Sequence, residues 1–137
     1  MGKFSISAAV EFTRLLGELL EYASFVGIKV MLTEVQRFMP RQSHLYYSGA
    51  SQTLASDHLI CTAADIDVIE NGEVVTDGSH HSYEKLGAYW KELHPGCYHG
   101  GDWESKDSRH FGYKPNMGTI VPKKGTEVDN GFYTVPI

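Results

Sequence analysis

Along this chain the apolar positions switch between helical and strand spacing, and each switch marks an element. From Val10 onward, Phe12, Leu15, Leu16, Leu19, Leu20, Ala23 and Val26 recur at helical intervals, with Gly27 placed to end the run. "IKVMLTEV" (28–35) is rich in β-branched residues and predicts a strand, and "RQSHLYYSG" (41–49) predicts a short helix closed by Gly49. In "AADIDVIENGEVV" apolar and acidic residues alternate. Ile66 and Val68 therefore face a core while Asp65 and Asp67 share the opposite face, and Asn71-Gly72 predicts a hairpin turn. Tyr83, Leu86, Trp90 and Leu93 fit another amphipathic helix, stopped by His94-Pro95-Gly96. "HFGY" (110–113) reads as a last strand, and the tail from Lys114 onward as irregular. The expected fold is α+β, a small antiparallel sheet with helices packed on one face.

Composition narrows the function classes. A chain of 137 residues, 42% hydrophobic, suits one domain spanning 1–137 with a real core. A net charge of −5 with no Lys/Arg patch argues against a nucleic-acid partner. "MGKFSISAAVEFTRLL" lacks the apolar run of a secretory signal, and no stretch is long enough to insert in a membrane. Cys61 and Cys97 make no disulfide framework, so cytoplasmic synthesis is the expectation, and a monomer is the default oligomeric state.

The candidate chemistry sits in "SDHLICTAADID" (56–67). Two carboxylates on one strand face repel unless a basic side chain, solvent or a metal ion compensates them. A second cluster, "GGDWESKDSRHFGY" (100–113), places Asp107 three positions before His110. In a regular strand those two residues point to opposite faces. They converge only if Asp107-Ser108 belongs to a loop that turns into a strand near His110, as Gly100-Gly101 and "ESKDS" allow. His58, Asp65 and His110 would then offer two imidazoles and one carboxylate. Three protein ligands and an open fourth position suit a catalytic zinc, with Asp107 free to act as general base.

These segments resemble a known family. "SDHLICTAAD" resembles the S-x-H-x-x-G-x-A-x-D segment of the VanY-like D-Ala-D-Ala carboxypeptidase zinc peptidases, and "GGDW…D-x-x-H-F" resembles that family's second signature. The wording is most similar to the L-alanyl-D-glutamate endopeptidases of phage endolysins. "TEVQRFMPRQSHLYYSGAS" looks like the family's Arg-containing strand end, Gln helix and Gly-x-Ser turn, so the resemblance covers about residues 28–113. It implies a hedgehog/D-Ala-D-Ala carboxypeptidase-like architecture, zinc on His58, Asp65 and His110, and Asp107 as catalytic acid/base. It also implies Arg37 as the residue that contacts substrate and stabilises developing charge, with Ser56 and Gln42 in support.

The implied substrate is the peptidoglycan stem peptide, cut between L-Ala and D-Glu. The alternatives are a D,D-carboxypeptidase or a zinc-holding module without turnover. A phage enzyme of this kind acts on the wall after release from the cytoplasm. Cys61 stands where the family has Gly, so the loop after His58 is expected to differ, and a Cys61 thiolate could compete for zinc. Among the other conspicuous residues, Asp67 reads as a hydrogen-bond acceptor, and His80 and His81 as solvated. Trp103 reads as a wall of the cleft and Glu104 as the rival base. Tyr46, Tyr47 and Tyr113 read either as groove lining or as packing residues.

Overall fold

The computed structural model describes residues 3–51, 53, 56–115 and 132–134. Strand β1 (Lys3–Ser5) leads into helix α1 (Ile6–Phe25), which begins four residues before the apolar run because the Ser5 hydroxyl accepts the Ala8 N–H at 3.1 Å. Gly27, at φ +80°, ends it. Strand β2 (Lys29–Glu34) and helix α2 (Met39–Tyr47) follow, then a 3₁₀ turn (Asp57–Ile60) and strand β3 (Ala63–Glu70). Asn71 and Gly72, both at positive φ, make the expected hairpin to β4 (Glu73–Val74). Helix α3 (His81–Leu93), β5 (Cys97–His99), a 3₁₀ turn (Gly100–Asp102), β6 (His110–Tyr113) and β7 (Phe132–Thr134) complete the order.

The main sheet runs β2-β3-β6-β5, with β4 on β3, and every pairing is antiparallel. Two features depart from the sequence reading. Strand β5 was not foreseen, because three residues beside two glycines carry no period of their own. The tail is not wholly irregular: Phe132–Thr134 pair with Lys3–Ser5 as a second small sheet. Residues 116–131 and 135–137 of the tail lie outside the described residues.

Alternation in β3 sorts the two faces as expected. Ala64, Ile66 and Val68 are buried against Phe12, Leu15 and Leu19 of α1 and Leu86 and Trp90 of α3. The Trp90 indole N–H is shared between the Tyr98 and Gly112 carbonyls, each at 3.0 Å, which locks α3 onto β5 and β6. The opposite face carries Asp65 and Asp67 and is flanked by α2, so α1 and α3 alone cover the core side. No helix among the described residues is long and apolar enough to cross a membrane.

Candidate metal centre

Register builds the site. Asp65 on β3 pairs directly with His110 on β6, while Glu34 at the end of β2 pairs with Asp65 from the other side after an irregularity in the ladder. Directly opposed residues bring their side chains within about 5 Å, so one row across the sheet gathers Glu34, Asp65 and His110. His58 arrives from the 3₁₀ turn before β3. That turn ends at Cys61 in the left-handed region (φ 58°, ψ 37°), the conformation the family's Gly would adopt without cost. The Ser56 hydroxyl accepts the His58 N–H at 3.2 Å, and the Arg37 N–H donates to the His58 carbonyl at 2.9 Å.

The result is a cluster in which ligand atoms of His58, Asp65 and His110 all lie within 4.8 Å of one another. His58 is 1% exposed. Its Nδ1 sits 2.9 Å from the Val35 carbonyl, which can only accept, so the proton is on Nδ1 and Nε2 presents a bare lone pair. That Nε2 lies 3.2 Å from Asp65 Oδ1, and Nδ1 of His110 lies 3.7 Å from the same oxygen. Both His58 Nε2 and Asp65 Oδ1 are buried without a hydrogen-bond partner. Converging buried acceptors repel unless a cation stands between them, which is the condition a metal ion meets. The donor set fits a metal.

Arg37 is the charged neighbour of this cluster. Only 9% exposed, it donates from Nη2 to Glu34 Oε1 at 2.8 Å and from Nη1 to Gln42 Oε1 at 2.9 Å, and its Nη2 lies 3.6 Å from Asp65 Oδ2. Gln42 is fully buried and donates onward to Ser51 Oγ at 3.0 Å. The second acidic residue of β3 has its own answer, since Asp67 forms an ion pair with Arg109. Arg109 thus compensates Asp67, while Asp65 faces Arg37 through Oδ2 and the imidazole cluster through Oδ1.

Asp107 occupies the loop before β6, as its spacing required. Its N–H donates to the Gly100 carbonyl at 2.9 Å and its carbonyl accepts the His110 N–H at 3.1 Å, closing a turn just before the strand begins. The buried His99 imidazole, 2.8 Å from the Ser108 carbonyl, braces the same turn. Asp107 stands apart from the three-residue cluster and lines a cleft of about 990 Å³ together with Arg37, Arg41, His58, Asp65, Trp103, Arg109 and His110.

Other residues sort themselves. Glu104 is exposed and does not line the cleft. Trp103 does, its ring 4.8 Å from that of His110. Tyr113 is a core residue, Tyr46 and Tyr47 lie outside the lining, and Leu45 is the residue of that helical stretch that lines the cleft. Cys61 is outside the cluster, and burial pushes its thiol up, away from the thiolate form a metal ligand needs. His80 caps α3, its Nδ1 accepting the Ser82 N–H at 3.1 Å. Glu34, Asp57, Tyr98 and Lys114 were missed by the sequence reading. "TEV" and "SDH" hold the first two, but nothing local marks them as neighbours of the site.

Two imidazoles and a carboxylate gathered beside a small antiparallel sheet, at the floor of an open cleft, make a candidate site for one metal ion. No family model matches the chain. It is 34% identical over 116 residues to the L-alanyl-D-glutamate peptidase of Listeria phage A118, a match covering 82% of this chain and 41% of that protein. The chain thus spans about two fifths of that relative's length. It also superposes on the crystal structure of the Serratia marcescens L-Ala D-Glu endopeptidase ChiX with a TM-score of 0.63 and 27% identity, over 76% of this chain and 78% of that one. The chain is thus similar in sequence and in fold to L-alanyl-D-glutamate peptidases, consistent with the VanY-like family that its motifs resemble.

Proposed function

We propose that the chain is a zinc-dependent peptidoglycan peptidase that hydrolyses the L-Ala–D-Glu bond of wall stem peptides. The observation that carries this reading is the convergence of unpartnered His58 Nε2 and Asp65 Oδ1 with His110 at the floor of a cleft that Arg37 and Asp107 also line. The two L-alanyl-D-glutamate peptidase relatives support the choice of bond.

His58, Asp65 and His110 would hold the zinc, which when bound would supply the Lewis acidity that makes water nucleophilic at neutral pH. Asp107 takes the proton of the attacking water and delivers it to the leaving amine. Arg37, clamped by Glu34 and Gln42, presents a fixed positive charge to the substrate carbonyl oxygen as charge develops on it. A cleft of this volume accommodates several residues of an extended stem. We read the chain as a single domain that works as a monomer, made in the cytoplasm and acting on the wall after release.

The test is digestion of purified peptidoglycan followed by mass spectrometry. Fragments with a new D-Glu amino terminus are expected. Release of free D-Ala alone would assign a D,D-carboxypeptidase, and no release at all a binding module.

A further inference from the structure

Tyr98 on β5 places its hydroxyl between the Asp57 carboxylate, which no part of the proposed reaction uses, and the imidazole of His110. It donates to the Asp57 carboxylate, and it lies 3.2 Å from Nε2 of His110. Asp57 is in turn held by the Lys114 ammonium at 2.7 Å, and that ammonium lies 5.5 Å from the centre of the Tyr98 ring. The ring reaches this position because it crosses β6 over Gly112. A Cβ there would run into the ring carbons. The Trp103 ring stacks on it with centroids 6.0 Å apart.

A phenol has one proton. A carboxylate fixed by an ammonium accepts and does not donate, so the Tyr98 proton goes to Asp57. Toward His110 the phenol oxygen is then left as an acceptor. His110 must put its own proton on Nε2, which strips Nδ1, the nitrogen that faces Asp65. The Val35 carbonyl does the same for His58 through a single backbone acceptor. We infer that Lys114, Asp57 and Tyr98 form a directional hydrogen-bond relay whose task is to hold His110 in the one tautomer that can bind a metal through Nδ1. Tyr98 is accordingly a positioning residue and not a catalytic one. The claim rests on the proposed metal site for its purpose, though the relay itself is a property of the metal-free chain.

The chemistry of such outer partners sets the expected size. Loss of a group that orients a ligating imidazole typically weakens metal binding by about 10- to 100-fold. The experiment uses the full chain as wild type, Tyr98→Phe and Asp57→Asn, and has two readouts. Zinc affinity is measured by competition with a chromophoric chelator, and the His110 ring tautomer by ¹⁵N shifts in metal-free protein. Wild type is expected to show the Nε2–H form. Tyr98→Phe should show mixed tautomers and zinc binding weaker by that factor. Asp57→Asn preserves shape but can donate to the phenol, which then turns its proton toward His110 and favours the Nδ1–H form. Should Tyr98→Phe fail to fold, Asp57→Asn decides alone. An unchanged tautomer, or unchanged zinc affinity in folded variants, overturns the relay. A wild-type chain that takes no zinc overturns the proposed function instead, while the tautomer still tests the relay.

Discussion

Replacing Asp107 by Asn separates the roles of base and ligand in one residue. The side chain makes no hydrogen bond among the described residues. Only its backbone is engaged, with Gly100 and His110, and an amide leaves those bonds untouched. The stability cost should therefore stay within about 0.5 kcal/mol, the range of a substitution that breaks no buried contact. The metal, which the cluster of His58, Asp65 and His110 would hold without Asp107, should remain at about one zinc per chain. Hydrolysis should nonetheless fall by about two to four powers of ten, the usual contribution of a positioned acid/base and equivalent to about 3–5 kcal/mol of barrier. The assay pairs zinc content with turnover of a stem peptide for Asp107→Asn, His110→Ala and Glu104→Gln. His110→Ala should lose metal and activity together, and Glu104→Gln should cost little because that side chain is exposed and off the cleft. If Asp107→Asn loses its zinc, Asp107 is a ligand. If Glu104→Gln is inactive with zinc retained, the base has been misassigned.

Three further outcomes are expected. Arg37→Lys keeps the charge but gives up the fork that Glu34 and Gln42 clamp, so kcat/KM should fall by about ten- to a thousandfold, and unchanged kinetics would remove Arg37 from the reaction. Cys61→Gly relieves a left-handed backbone that costs a residue with a Cβ about 1–2 kcal/mol, less the greater unfolded-state freedom of Gly. Urea unfolding should show a net gain of about 0.5–1 kcal/mol, and a loss would contradict the strain. Burial lowers the pKa of His99, so the folded state binds fewer protons than the unfolded one below about pH 6.5. Its contribution is full above that value and is lost as pH falls from there through the lower folded-state pKa. His99→Gln, whose amide can keep the Ser108 bond, should have a flatter stability profile between about pH 5 and 7 than wild type, and identical profiles would show that His99 does not titrate differently in the two states.

What the linear chain determined is what short-range chemistry controls. Helical spacing from Phe12 to Ala23, alternation through Ile66 and Val68, and the Asn71-Gly72 turn each act within a few residues, and each element formed where its period lay. The candidate cluster was legible for the same reason. Asp65 and His110 open or sit near the start of strands, and a face assignment by alternation aims them correctly once the strands pair. Cys61 too was visible, as the one residue of its motif whose backbone demand its side chain resists. Tertiary structure decided the rest. The pairing of β3 with β6 determines that Asp65 meets His110 rather than a neighbour two residues along, and register is a property of two strands, not one. Strand β5 exists because β6 offers it an edge, and only that edge carries Tyr98 to His110 and, through it, to Asp57 forty-one positions away in sequence. Arg37 likewise has its partners chosen by α2 and by the irregularity that turns Glu34 toward it. Such contacts depend on side chains from distant segments meeting in a desolvated place, where each hydrogen bond must be satisfied by whatever the fold brings near, and no local pattern in the sequence encodes that meeting.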